Sequence, residues 1–277
     1  FAHGELAARK PHPRHLTLYY LTISAGGALG GLAAGLAAPA LLNGYFELPL
    51  SALFCAALAM LTWRALGGKQ AWIAVIGLVL TGTFIAELQA PKANVRYAAR
   101  NFYGAIQVRE EPGNDAGDAV LKLVNGSINH GEQFLAESKS REATTYFGPD
   151  SGAGLALRYC EAPERRVGII GLGAGTLALY SQPGDTFRFF EINPQVVEAA
   201  RQQFRFLRQA RGQVEVATGD GRLLLEQEPD ESFDIFVVDA FSGDAIPVHL
   251  ITIEAIRGYF RKLKPGGVLA LHLSNAY

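Results

Sequence analysis

Between residues 16 and 90 the chain carries only four charged side chains, Glu47, Arg64, Lys69 and Glu87. No other feature limits the fold as much. A segment of that length with so little charge cannot cover a globular surface in water, and it needs hydrocarbon or a very large core. Apolar runs at about 16–42, 45–63 and 71–88 each reach the roughly 18–20 residues a helix needs to cross about 30 Å of hydrocarbon. Their separators, Asn43-Gly44 and residues 64–70, are short, so neighbouring helices should fold back as hairpins that satisfy their own backbone groups. Gly26, Gly27, Gly30, Gly31 and Gly35 supply small-xxx-small spacings that let helix backbones approach closely. A buried hairpin in a large soluble protein would give one such run more easily than three in succession.

The rest of the chain is ordinary in composition. Of 277 residues, 25 are basic and 26 acidic, for a net charge of -1. That balance offers no basic stripe for nucleic acid, and the apolar half excludes a wholly soluble or disordered chain. Two cysteines, Cys55 and Cys160, exclude a disulfide framework or a four-cysteine zinc site. The chain opens on Phe1 and its one methionine is Met60, which reads as a piece of a longer protein with no signal peptide at this end. Positive-inside counting uses Arg9, Lys10 and Arg14 before the first run and Arg64 and Lys69 after the second. It places Phe1 inside and, after three crossings, the remainder outside.

Four segments follow: a transmembrane helical region over 1–90, a polar linker over 91–100, a small antiparallel β unit over 101–135 and a larger domain over 136–277. Asn125-Gly126 signals a type I′ hairpin in the β unit, because both turn positions of that type require positive φ. The tight turn accounts for Asn125-Gly126-Ser127 better than glycosylation does. From residue 166 strands alternate with helices, the pattern of a parallel sheet covered on both faces. Strands are expected at 166–171, 186–191, 213–217, 233–239 and 268–273, and helices at 175–181, 194–210, 221–227 and 250–263. The chain stops just after the fifth strand, so this domain is read as truncated at its C-terminus.

The first strand runs into Gly171-Leu172-Gly173-Ala174-Gly175. A glycine turn between a strand and a helix lets backbone N–H groups approach a ligand, although tight strand–helix packing can need the same glycines. Glu191 ends the second strand, about 18 residues past the turn, where a carboxylate can accept from ribose hydroxyls. Asp220, followed by Gly221, comes after the third strand and would meet an adenine edge. Asp239 ends the fourth. Acidic groups at successive strand ends converge on one crevice, which points to a nucleoside site. His249 and His272 lack metal-ligand spacing and read as loop or core histidines. Arg201, Arg205, Arg208 and Arg211 recur at helical spacing and read as a solvated face.

The order of these features resembles the class I S-adenosylmethionine-dependent methyltransferase fold and, within it, the spermidine synthase (polyamine aminopropyltransferase) family. The segments NFYGAIQV, LVNGSINHGEQ, TTYFGPDSGAG, VGIIGLGAG, FFEINPQVVEAA, ATGDGR and FDIFVVDAFSGD carry the resemblance, over roughly 101–275. It implies a Rossmann-like parallel sheet preceded by the small β unit. It also implies transfer of an aminopropyl group from decarboxylated S-adenosylmethionine to a polyamine such as putrescine, releasing methylthioadenosine without a metal. Under the resemblance Asp239 is the catalytic aspartate and Tyr146 assists it. Gly171, Gly173, Gly175, Glu191, Asp220, Gly221 and Gln133 hold the donor, and Asp244 and His130 face the amine.

Ala174 stands where that family's glycine turn has an aspartate facing the donor's ammonium, and Asn125 and Asn193 replace two further aspartates. A methyltransferase using intact S-adenosylmethionine is therefore the alternative enzyme, and a non-catalytic nucleoside sensor on a transporter is the alternative from another class. The whole chain is similar to bacterial fusions of a multi-pass, transporter-like region with a spermidine-synthase-like domain. That likeness implies a multi-pass protein of the bacterial inner membrane, with lipid and a small amine as partners, no nucleic acid, and a homo-oligomer as one option. It also implies a cytoplasmic catalytic domain, opposite to the side the positive charges indicate.

Overall fold

A computed structural model describes the chain apart from residues 1, 43, 63–69, 90–93, 113–117, 161, 242–245 and 274–277. It divides into two units, Phe1–Ala93 and Asn94–Tyr277.

The first unit is helical, with α1 at Ala2–Ala8 and α2 at Leu16–Leu32. Helix α2 continues through a π turn, Ala33–Ala37, into α3 at Ala38–Leu41. Pro39 explains the wide turn, because it has no N–H to donate one turn back and its ring crowds the carbonyl there. By length and composition the 29-residue helix Pro13–Leu41 can cross a bilayer. Helix α2 buries none of its residues, and Leu18, Leu21 and Leu29 stand open along it, which suits lipid or other helices better than water. Helices α4 (Glu47–Thr62) and α5 (Gln70–Gln89) form the expected hairpin. Gly77 lies opposite the buried Ala56, and Phe46 meets Phe84 edge-on with ring centroids 6.2 Å apart. Of the three expected spans, Pro13–Leu41 is the one among the described residues that meets the length and hydropathy of a crossing.

The second unit contains two sheets. Strands β1 (Val95–Asn101), β2 (Gly104–Glu111), β3 (Val120–Asn125) and β4 (Ile128–Phe134) form an antiparallel sheet in sequence order. Residues 95–100, expected as linker, thus belong to a strand that pairs with β2. The β3–β4 turn also differs from expectation. Asn125 pairs with Ile128, so the two-residue loop is Gly126-Ser127, and Gly126 is its residue with positive φ, +63°. A glycine at the first loop position is the type II′ arrangement, one residue out of register with the type I′ reading.

The parallel sheet has the order β7-β6-β5-β8-β9, with β5 at Arg166–Ile170, β6 at Thr186–Glu191, β7 at Gln213–Thr218, β8 at Phe233–Val238 and β9 at Leu263–Leu271. Helices α6 (Gly152–Tyr159), α7 (Pro194–Gln202), α8 (Phe206–Gln209), α9 (Gly221–Glu226) and α10 (Ile253–Lys262) flank it. Strand β8 is buried at every position, as a central strand covered on both faces should be. One core forms on each face, around Val167, Ile169 and Phe189 on one side and Phe190, Phe236 and Tyr259 on the other.

The helix expected over 194–210 breaks. Phe204 and Phe206 are both fully buried, and residues two apart lie on opposite sides of a helix, so α7 ends to let both turn inward. There they join Ile106, Val108 and Leu123 of the small sheet, and this third core seats that sheet on the larger domain. The helix expected over 175–181 is a 3-10 turn, Thr176–Tyr180, and the one expected from 250 is α10, capped by Thr252 Oγ1 accepting from the Ala255 N–H.

Candidate functional site

The chain runs β5 to β6 to β7 outward and then crosses back to β8, so the strand order reverses beside β5. Ligand crevices in open α/β sheets lie at the carboxyl ends of the strands, at such a reversal. A cleft of about 360 Å³ opens there, walled by Gly171, Glu191, Asp220 and Asp239 from the strand ends and by His130, Asn125 and Tyr103 from the small sheet.

The glycine turn is shaped by its own surroundings. At Gly171, φ is +98° and an added Cβ would stand 2.1 Å from the Asp239 carbonyl oxygen. At Gly173, φ is +52° and the Cβ would meet the His130 carbonyl oxygen at 2.5 Å. These two glycines line the cleft and also let β8 and β4 approach. Gly175 does not line it; it sits against Leu207. Ala174 is also outside the cleft. Fully buried, it donates its N–H to the His130 carbonyl at 3.3 Å and packs beneath Gly131. Ala174 therefore presents no carboxylate to the cleft.

Glu191 is buried at the end of β6, with Oε2 accepting from the Leu172 N–H and Oε1 from the Asn193 N–H, each at 2.9 Å. Burial raises its pKa above the ordinary value, the neighbouring Asp239 adds to the rise, and the backbone donors offset it in part. Asn193 caps α7 through Gln195 and accepts from the Asn101 side chain at 2.8 Å, tying β1 to the cleft wall.

Asp220 caps α9: its Oδ1 accepts from the N–H groups of Arg222 and Leu223, both at 3.0 Å. Its Oδ2 lies 3.0 Å from His249 Nε2. Gly221 begins α9 and leaves room for Ile170, which a Cβ would meet at 2.7 Å. His249 lines the cleft, so it is a site residue that isolated spacing did not reveal.

His272 is a second such residue. Val238 pairs with Leu271 across β8 and β9, so the next positions, Asp239 and His272, emerge side by side. His272 Nδ1 lies 2.6 Å from Asp239 Oδ1. Burial raises the Asp239 pKa and His272 counteracts it. Tyr146 stacks at a tilt on His272, ring centroids 4.5 Å apart. Burial, and then the Asp239 charge, push its phenol well above the usual range and keep it a hydrogen-bond donor. The residue before it, Thr145, has φ +57°, an uncommon conformation for a β-branched side chain and the kind of local strain that clusters at functional sites.

His130 lines the cleft with a buried Nε2 that has no hydrogen-bond partner among the described residues, and burial lowers its pKa, favouring the neutral ring. Gln133 lies elsewhere, which corrects its place at the donor. Its Oε1 accepts from the Arg205 N–H at 2.9 Å and its Nε2 donates to the Ser140 carbonyl at 2.9 Å, bracing β4 against the start of α8. Arg205 in turn donates to the carbonyls of Phe134 and Leu135 and pairs with Glu137, so it is a bridge and not part of a solvated face. Asp244 falls outside the described residues. Among the described residues no group of three His, Cys, Asp or Glu side chains could hold a metal ion.

The charge of the cleft narrows its ligand. Its described lining includes three carboxylates, Glu191, Asp220 and Asp239, and no lysine or arginine. Three carboxylates so placed would stabilise a sulfonium or an ammonium.

This is the class I S-adenosylmethionine-dependent methyltransferase fold, shared with spermidine synthases, with a carboxylate-lined crevice at its strand reversal. The curated relatives are transferases, and the chain is a transferase of that fold. No family model matches it. A protein named as an O-methyltransferase in Mycolicibacterium vanbaalenii is 27% identical over 178 residues, covering 59% of this chain and 76% of that protein. The polyamine aminopropyltransferase of Vibrio vulnificus is 35% identical over 120 residues, covering 41% of this chain and 38% of that enzyme. The crystal structure of a protein assigned as a spermidine synthase from Corynebacterium glutamicum superposes with a TM-score of 0.50 at 19% identity, over 66% of this chain and 64% of that one.

Proposed function

We propose that the chain transfers an aminopropyl group from decarboxylated S-adenosylmethionine to an amine and releases methylthioadenosine. The observation that carries this reading is the cleft itself, where Glu191, Asp220 and Asp239 converge at the strand ends with no lysine or arginine among the described lining. Glu191 would hold the ribose and Asp220 the adenine amino group, while Gly171 and Gly173 let the nucleoside reach the backbone. Asp239 would face the reacting carbon, with Tyr146 beside it. An amine attacks only when neutral, so the site needs a proton acceptor close to the nitrogen. The fold likeness to the C. glutamicum protein extends over 66% of the chain, more than the parallel-sheet domain alone, and the V. vulnificus relative supports the same activity.

A second reading, methyl transfer from intact S-adenosylmethionine, is favoured by Ala174. That position supplies no carboxylate for the decarboxylated donor's ammonium, and the M. vanbaalenii relative supports this reading. Calorimetric titration of the full chain in detergent with each donor decides between them. Tighter binding of the decarboxylated form is expected. Tighter binding of the carboxylated form replaces aminopropyl by methyl transfer, and binding of neither leaves a non-catalytic domain.

The helical unit makes the chain a membrane protein under the same proposal, a multi-pass protein of the bacterial inner membrane with its catalytic unit in the cytoplasm. Pro13–Leu41 supports one crossing.

A further inference from the structure

Asp239 and Tyr146 line two cavities. One is the donor cleft; the other is a smaller pocket of about 170 Å³, walled by Phe147, Ala153, Ala270, Leu273 and His272. Asp239 is the one carboxylate in the described lining of this pocket, and its remaining walls are apolar apart from the Tyr146 hydroxyl and the imidazole. The imidazole is held on three sides. Tyr146 and Phe241 flank it at 4.5 and 4.8 Å between ring centroids, and Asp239 Oδ1 binds its Nδ1 at 2.6 Å. A carboxylate on Nδ1 fixes the tautomer with the proton there and leaves the Nε2 lone pair free to accept another. Among the described residues Nε2 has no hydrogen-bond partner, and the side chain is 28% exposed.

Resting on the group transfer proposed above, we propose that this second pocket is the acceptor site, that His272 accepts the proton of the attacking nitrogen, and that the acceptor is a small primary amine with an apolar tail. The neutral amine nitrogen attacks the carbon bound to the sulfonium. The nitrogen–carbon bond forms as the carbon–sulfur bond breaks, and the electron pair goes to sulfur, leaving a neutral thioether nucleoside. The alkylated nitrogen gives its extra proton to His272 Nε2, and Asp239 stabilises the imidazolium. The described walls Phe147, Ala153 and Leu273 suit an apolar tail better than a second ammonium.

The test uses the full chain in detergent with whichever donor binds more tightly, reading nucleoside thioether release with 1-aminobutane and with 1,4-diaminobutane. The monoamine is expected to give a kcat/KM roughly tenfold or more above the diamine. His272→Asn, which can still donate to Asp239 but cannot accept the proton, should lower turnover about 10²-fold or more with the donor Kd unchanged. Ala153→Leu, which fills the pocket, should raise the KM for the monoamine and leave donor binding alone. Preference for the diamine, release with neither amine, or full turnover by His272→Asn overturns the proposal while the donor reading stands. If neither donor binds, the group-transfer reading fails first and this one with it.

Discussion

Asp220 holds two elements with one carboxylate: Oδ1 caps the first turn of α9, and Oδ2 sits 3.0 Å from His249 Nε2. The helix uses one oxygen and the cleft the other, so the two roles separate by substitution. Asp220→Ser keeps a capping oxygen and should leave the melting temperature nearly unchanged, yet weaken donor binding tenfold or more by calorimetry. Asp220→Ala should do the same to binding and also cost about 1 kcal/mol of stability. Equal stability of the two variants would show that the cap contributes nothing.

Two glycines with positive φ should behave differently when replaced. Gly171→Ala would force a Cβ to within 2.1 Å of the Asp239 carbonyl at φ +98°, whereas Gly126→Ala, at φ +63°, meets nothing within 4 Å. The second should cost only the backbone term, about 1 kcal/mol. The first should cost at least about 2–3 kcal/mol, because strain and overlap add. Thermal unfolding of the two variants measures the difference.

Donor affinity should fall on acidification. Burial raises the Glu191 pKa above 4.5, and only the ionised carboxylate accepts from both ribose hydroxyls while attracting a cation. Binding should therefore strengthen as pH rises through a midpoint above the ordinary glutamate value, and Glu191→Gln should flatten the profile. For stability the sign is opposite, since an acid whose folded pKa is raised favours the fold more when protonated. Calorimetric titrations between about pH 5 and 8 read the binding side.

The Arg165–Asp185 pair is buried on both sides. Nη2 and Oδ2 are 2.6 Å apart, and Asp185 also accepts from the N–H groups of Arg165 and Gln182. Burial pushes the Asp185 pKa up, but these bonds outweigh it and hold it below 3.8. Its stabilising contribution is present above the unfolded-state pKa and is lost as pH falls through the lower folded value. Asp185→Ala, which strands the guanidinium, should cost about 3–5 kcal/mol, read by chemical denaturation.

Much of this fold is legible in local pattern. The apolar run over 16–42 marks the helix Pro13–Leu41, and the continuous apolar stretch FDIFVV marks a strand buried on both faces. Glu191, Asp220 and Asp239 could each be found because a carboxylate stood just beyond a strand pattern, and strand ends converge in this class of sheet. Boundaries were less legible. Strand β1 looked like a linker because VRYAARN is polar along one face, and the 194–210 segment looked like one helix until Phe204 and Phe206 both proved to be core.

Gln133, His249 and His272 show where local pattern ends. Nothing near Gln133 indicates that its amide braces Arg205, 72 positions away, and not a ligand. His272 and His249 looked inert because their carboxylate partners are 33 and 29 residues distant. By itself the sequence determined the apolar helices, the alternation that makes a parallel sheet, and the acidic strand ends, because each depends on side-chain period and on residues a few positions apart. Only the tertiary structure decided that β9 lies beside β8, setting His272 against Asp239, and that Ala174 turns away from the cleft. Those outcomes depend on strand order and on how the small sheet seats over the glycine turn, both of which arise from packing between distant segments.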